Sequence, residues 1–398
     1  MAAIGVLWNI APPAQAQTYT VLHTFNRSDG RDPISTLIFD RAGNLYGTTY
    51  YGGAADQGVV FQLKHTPSGG WLFIPVHEFN GFSGDGDGAY PLDYGGLTLA
   101  SDGTIYGTTN NGGIEGCDGE SYCGTVFRLR PPASACTTAL CSWSLSIIYK
   151  FNPQTGAEFP YGSVIFDTAG NLYGTTNFPG ESDVYELSPS GGNWVQNSYS
   201  LDAETNAGMV MDNAGNLYGV AVSYTNQLGL IFELTPSGSG WTKTILYTFT
   251  GGSDGAYPFG GLIFDSAGNL YGSTQYGGSA GGGTIFELSP SGGGWALSTL
   301  CSFGNGGSGA YGPQSALTMD AAGNLYGTTN GDGAFGDGMV FKATRSGNNW
   351  TCTDLFDFNG DLGLFPVGGV AVDAKGNLYG TATETESNDY GVVWEITP

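Results

Sequence analysis

The chain has 398 residues, of which 69 are glycine and 13% aromatic, with 11 lysines and arginines against 35 acids. This composition suits short strands joined by tight turns, and no long segment repeats apolar residues at the helical period, which argues against a helical protein. The net charge of −24 repels phosphate backbones and sets nucleic acid aside as a partner; it serves solubility, or marks a cation-rich habitat with scattered Ca²⁺ sites.

Residues 1–16 form an apolar run that ends in Ala14-Gln15-Ala16, the small-residue pattern of an export cleavage site, although no basic stretch precedes it. They read as residual signal peptide, with Gln17 as the mature start and residues 17–398 as a single domain. No other segment is long and apolar enough to predict a membrane span. The chain ends in "WEITP" without an anchor signal. A secreted or surface-exposed monomer is expected.

After the first predicted strand, "TYTVLHTF", the chain settles into a repeat. Its marker is the tyrosine of "NLYG", at Tyr46, Tyr106, Tyr173, Tyr218, Tyr271, Tyr326 and Tyr379. Seven markers at intervals of 45–67 residues indicate seven supersecondary units, the signature of a propeller. Unit five is the clearest. "GGLIFD", "NLYGST", "GTIFELSP" and "WALSTLCSF" read as strands a to d of one blade. The "D-x-A-G-N" between strands a and b is a hairpin loop: the carboxylate accepts turn N–H groups, and the glycine supplies a positive φ. "P-S-G-G-G-W" turns strand c into strand d, and its tryptophan recurs at Trp71, Trp143, Trp194, Trp241, Trp295 and Trp350, which suggests packing between blades. The chain finishes on a strand c, so the amino-terminal strand should complete the last blade and close the ring. The predicted fold is all-β: a seven-bladed β-propeller of four antiparallel strands per blade.

Alternating strand direction puts the a–b and c–d turns on one face and the longer b–c and d–a loops on the other. Variable loops on a rigid scaffold favour the second face, and the channel mouth, as the working side. Its b–c loops offer Tyr50, Tyr51, Asn110, Asn111, Asn177, Tyr276 and Asn330 behind paired threonines or serines. Its d–a loops carry "DGAYP" and variants, with aromatics at Tyr90, Phe159, Tyr257, Tyr311 and Phe365 and acids at Asp29 and Asp254. Such a mixture can stack on and hydrogen-bond to sugars or peptides. Asp85 and Asp87 in "GDGDGAYP" are a candidate Ca²⁺ pair, although the rest of an EF-hand loop is missing. No other cofactor is suggested.

Cys117 with Cys123, and Cys136 with Cys141, bracket short loops and predict two disulfides in an exported protein. Cys301 and Cys352 lie on different repeats and are expected to be free and buried. His23 and His77 occupy a slot that is Tyr149, Tyr199, Tyr247, Cys301 or Phe356 elsewhere, so they read as packing residues. His65 falls in a c–d turn. Neither a nucleophile elbow nor a phosphate-binding loop occurs. Paired carboxylates remain as candidates for glycoside chemistry among Asp29, Asp32, Asp85, Asp87, Glu158, Asp254 and Asp361.

The segment "LIFDSAGNLYGSTQYGGSAGGGTIFELSPSGGGW" closely resembles the GloVer tandem repeat of bacterial secreted proteins, and about seven copies cover nearly all of the mature chain. "D-x-x-G-N-L-Y" is also similar to the NHL-type propeller repeat. The resemblance implies an exported propeller and brings no catalytic residue. The sequence therefore points to a noncatalytic binding module for extracellular glycan or protein. The alternatives are a carbohydrate-active lyase or hydrolase with carboxylates at the channel mouth, and a structural surface or matrix protein.

Overall fold

The computed structural model describes residues 17–81, 86–91, 96–117, 121–132, 142–152, 158–177, 182–222, 228–238, 240–304, 312–347, 349–387 and 389–398. Blade one stacks Ile38–Phe39, Leu45–Thr49, Val59–His65 and Trp71–Glu78 as strands a to d. Blade two uses Thr98–Leu99, Ile105–Thr109, Thr125–Arg130 and Ser144–Lys150. Blade three uses Pro160–Phe166, Leu172–Thr176, Asp183–Ser190 and Asn193–Ser200. Blade four uses Val210–Met211, Leu217–Ala221, Leu230–Ser237 and Gly240–Thr248. In blade five the inner strand is interrupted, as Ala256–Pro258 and Ile263–Phe264, ahead of Leu270–Tyr276, Thr284–Ser291 and Gly294–Ser302. Blade six uses Thr318–Met319, Leu325–Thr329, Met339–Ser346 and Asn349–Asp357. Blade seven takes Ala371–Val372, Leu378–Ala382 and Val392–Thr397 from the end of the chain and Thr18–Thr24 from its start. That last pairing is antiparallel, with Thr18 opposite Thr397 and Thr24 opposite Val392, so the ring closes as the sequence predicts.

The core lies between blades. Seven hydrophobic clusters each join neighbouring blades, and one of them unites Phe25, Leu45, Phe61, Tyr379 and Val393 from blades seven and one. The tryptophans pack there as expected. Trp143, Trp241, Trp295, Trp350 and Trp71 each meet the "NLYG" tyrosine of the preceding blade with ring centroids 5.8–6.4 Å apart. The glycine of "NLYG" has a specific cause. Gly272 faces Phe286 across strands b and c, and a Cβ on Gly272 would lie 2.6 Å from the Phe286 ring. The same cross-strand pairing recurs from Gly47 with Phe61 to Gly380 with Trp394. Each buried ring adds about 1.5–3 kcal/mol of transfer free energy, and the glycine makes room for it.

Strand a is only two residues long in most blades because the chain is crowded at the axis. A Cβ on Gly260, for example, would fall on the Ser315 carbonyl of the next blade. A ring of side-chain hydrogen bonds reinforces the crowding. The first hydroxyl after "NLYG" donates to strand a or its lead-in on the next blade: Thr175 Oγ1 to Ala207 O at 2.8 Å, Thr328 Oγ1 to Gly368 O at 2.8 Å and Ser273 Oγ to Ser315 O at 3.3 Å.

Candidate functional site

The a–b turns carry the repeated aspartate. Asp265 Oδ1 accepts from Ala267 N at 2.8 Å and Asn269 N at 2.9 Å, and its Oδ2 accepts from Asn269 Nδ2 at 2.8 Å and Tyr271 Oη at 3.1 Å. The same set recurs at Asp40, Asp167, Asp212, Asp320 and Asp373, and Asp102 keeps one such bond, to Thr104 N at 2.9 Å. Burial pushes the carboxyls of Asp167, Asp212, Asp265 and Asp320 up, but these hydrogen bonds outweigh it and hold them below the usual carboxylate range. The motif is a folding device, and the aspartates are not available for chemistry.

On the opposite face the long loops interlock. The d–a loop leading into a blade bridges that blade's own b–c loop, as in Ala89 with Asn111 and Arg31 with Tyr51. It also reaches back to the previous blade, where Tyr90 N donates to Gln57 O at 2.9 Å, Tyr257 N to Leu228 O at 3.0 Å and Phe365 N to Asp337 O at 3.0 Å. In five blades the residue before the loop proline lies in the left-handed region. Asp32, Tyr90, Phe159, Tyr257 and Phe365 have φ of 54–58°. A bulky side chain at positive φ, followed by proline, is a strained conformation that the surroundings must impose.

Several predicted residues come together there. Tyr50, Tyr51 and Tyr90 form one group with ring centroids 4.4–5.2 Å apart, and the Arg31 guanidinium lies 4.4 Å from the Tyr51 centroid. Tyr257 stands 5.7 Å from Tyr276 and 6.2 Å from Phe259. Tyr276 and Phe365 are both 37% exposed. Phe159 instead packs on the core between blades two and three. The asparagines brace the loops: Asn110 N donates to Tyr90 O at 3.0 Å and Asn177 N to Phe159 O at 2.9 Å. Asn111 Nδ2 donates to Asn110 Oδ1, and Asn330 Nδ2 to Gln314 Oε1, both at 3.2 Å. Tyr311 lies outside the described residues.

The structure adds detail to two expectations and corrects a third. The paired threonines behind the b–c loops are buried: Thr175 Oγ1 donates to the next blade at Ala207 O, and Thr109 Oγ1 donates to its own loop at Asn111 O. Asp254 is only 8% exposed and accepts from Tyr247 Oη, Thr250 N and Thr250 Oγ1, which makes it the cap of its loop. Asp29 does the same, accepting from Asn26 N at 2.8 Å with His23 Nε2 at 3.3 Å. Asp87 accepts from Asn80 N at 2.9 Å and lies 2.8 Å from His77 Nε2. Asp85 lies outside the described residues, and among these no cluster of three or more metal-ligating side chains occurs. His23 and His77 do pack, with His23 stacked 4.0 Å from the Phe73 ring. They are also carboxylate partners. Burial holds His23 below the ordinary histidine range although Asp29 pulls the other way. The correction concerns cysteine. Cys301 and Cys352 are joined in a disulfide between the outer strands of blades five and six, with Cα atoms 6.1 Å apart, and Cys352 is exposed. Cys117 and Cys123 are bonded as predicted, while Cys136 and Cys141 lie outside the described residues.

Of the acids that the sequence offers on this face, one stands apart. Asp32 replaces the loop aromatic at the entry to blade one. Burial raises its carboxyl to about 6; Arg31 opposes the rise, and Glu384, Asp389 and Asp56 add to it. Arg31 Nε is 3.8 Å from Asp32 Oδ2. The signal was present in the loop alignment, as a charged residue where four blades carry an aromatic. No helix among the described residues is long and apolar enough to cross a membrane.

Comparison with solved structures finds distant matches over nearly the whole chain. The polysaccharide lyase Uly1 aligns with a TM-score of 0.52 at 13% identity, over 98% of this chain and 93% of that one. An ulvan lyase bound to -[GlcA(1-4)Rha3S]- aligns with a TM-score of 0.50 at 9% identity, over 92% and 94%. A protein of unknown function from Dyadobacter fermentans gives 0.48 at 11%, over 95% and 97%. At these identities the likeness shows the fold alone. A search of curated protein sequences finds no match. The family model of the Gloeobacter/Verrucomicrobia repeat matches residues 2–146 and 204–398, so the chain belongs to that repeat family.

Proposed function

We propose that the protein is a secreted, noncatalytic module that binds extracellular glycan with its long-loop face. The observation that carries this reading is the repeated pre-proline residue at φ of 54–58°, an aromatic in four blades that is pinned to the loops of two blades and, save for Phe159, not packed on the core. Strain that recurs at a channel mouth and fixes rings before any ligand arrives lowers the ordering cost of binding. Two tyrosine groups beside asparagine amides suit the apolar face and hydroxyls of a sugar ring. The acids Asp29, Asp87 and Asp254 serve as loop caps, which supports recognition over catalysis. Two disulfides support an oxidising destination.

A glycan array with parallel release assays on polysaccharides, each repeated with EDTA, tests the proposal. Binding without product is expected. Protein targets without glycan binding would move the partner class. A second reading follows from Asp32, whose raised carboxyl beside Arg31 and Tyr51 has the makings of an acid and a charge-neutralising group for a lyase. Product release that disappears in Asp32→Asn would establish that reading instead.

A further inference from the structure

We propose that a groove between blades five and six, on the face opposite the long loops, binds one neutral pyranose residue. The groove is a cavity of about 570 Å³, walled by Phe264, Met319 and Trp350 and edged by Asp265, Asp320 and Arg345. A neighbouring hollow of about 440 Å³ shares Arg345 and Trp350 and adds Glu287. The site belongs to the a–b and c–d turns, so it is independent of the mouth and of the reading above.

The clue is a departure from the repeat. In blades three, four and five the tryptophan that opens strand d pairs with a proline on strand c: Pro189 with Trp194, Pro236 with Trp241 and Pro290 with Trp295. In blade six the same slot holds Arg345 opposite Trp350. A cation in that slot is unexpected in a chain with 11 lysines and arginines among 398 residues. Blade one also departs, with His65 opposite Trp71, but its imidazole lies on the indole at 3.9 Å between centroids, whereas Arg345 leaves its fork free of the ring; a local rule broken by a charged residue marks a functional position.

The geometry around Arg345 fits a sugar. Its Cζ lies 5.8 Å from the Trp350 ring centroid, and Nε donates to Gly347 O at 3.1 Å, which fixes the plane of the fork. Nη1 stops 3.9 Å from Glu287 Oε1, too far for a hydrogen bond. A donor fork and a carboxylate thus stand side by side with a gap that two adjacent ring hydroxyls would bridge. Trp350 packs against Tyr271 with centroids 6.1 Å apart and stays only half-buried, leaving indole surface for the C–H face of a pyranose. Charge selects a neutral residue. Asp265 and Asp320 line the cavity with Arg345, and Glu287 lines the adjoining hollow that shares this arginine, three carboxylates around one guanidinium, so a uronate or sulfated sugar is repelled. The corresponding groove between blades three and four has Asp167, Tyr173, Glu186 and Trp241 but Pro236 in place of the arginine, and is smaller at about 320 Å³.

The test titrates the full chain with the methyl glycosides of glucose, galactose, mannose and fucose. Binding is read by tryptophan fluorescence and by saturation-transfer NMR. At least one glycoside should bind with a Kd of roughly 1 mM. Arg345→Pro, which installs the residue of the sister blades, should keep the melting temperature and weaken that binding at least about tenfold. Arg345→Lys keeps the charge but loses the fork, and should weaken it several-fold; it decides the matter if Arg345→Pro folds poorly. Tyr90→Gly at the mouth should leave this binding unchanged, which separates the two sites. Absence of binding by all four glycosides, or wild-type affinity in both arginine variants, overturns the proposal.

Discussion

Asp265 shows how much one side chain of the repeat contributes. It accepts two backbone N–H groups, an amide and a phenol in a single turn. Asp265→Ala should therefore cost about 2–3 kcal/mol in urea unfolding, and a loss below about 0.5 kcal/mol would mean that the glycine alone sets the turn. Titration has two opposed signs here. The aspartates at 167, 212, 265 and 320 are held below the usual range, so the stability they confer is present above it and is lost as pH falls through their depressed values. Asp354 is raised to about 6 by burial and by Asp357, so the native state holds its proton more tightly and stability declines as pH rises from about 4 to about 6. Asp354→Asn should raise the melting temperature at pH 7 and leave it nearly unchanged below pH 4. No gain at pH 7 would contradict the assignment. The turn aspartate was legible because its partners lie within six residues of it. The partner of its tyrosine was not: Tyr218 Oη also reaches Glu233 Oε1 at 2.8 Å, which depends on the register between strands b and c.

Blades were legible from four strand signals and two turn motifs, because each hairpin is local. Contacts between blades were harder. The tryptophans could be assigned to packing by their regular placement, but Cys301 and Cys352 are 51 residues apart, and nothing in that separation shows that the outer strands of adjacent blades run side by side. The disulfide closes a long loop, so chain entropy predicts about 4 kcal/mol of stabilisation. Cys301→Ser with Cys352→Ser should lower the melting temperature, and dithiothreitol should reproduce the shift in the wild type. An unchanged transition in both would show that the bond carries no constraint. The loop acids illustrate the converse difficulty. Asp29, Asp87 and Asp254 look like a ligand set in sequence, yet each caps its own loop, since a short acidic side chain next to free turn N–H groups satisfies those first.

The ring as a whole fixes where anything can bind. Its closure was legible in a chain that ends on a strand c and begins with an orphan strand, and the cluster joining blades seven and one confirms it. What closure does not reveal from sequence is that the d–a loops span two blades, and that this span is what forces the pre-proline aromatics to positive φ. The central claim is that Tyr90, Tyr257 and Phe365, unlike Phe159, are held for a ligand and not for packing. Tyr90→Gly combined with Tyr257→Gly tests it most directly, because glycine adopts the required φ without strain. The account predicts an unchanged or higher melting temperature together with at least about a tenfold loss of glycan affinity. A clear drop in melting temperature with glycan affinity intact would contradict it and make the aromatics part of the core.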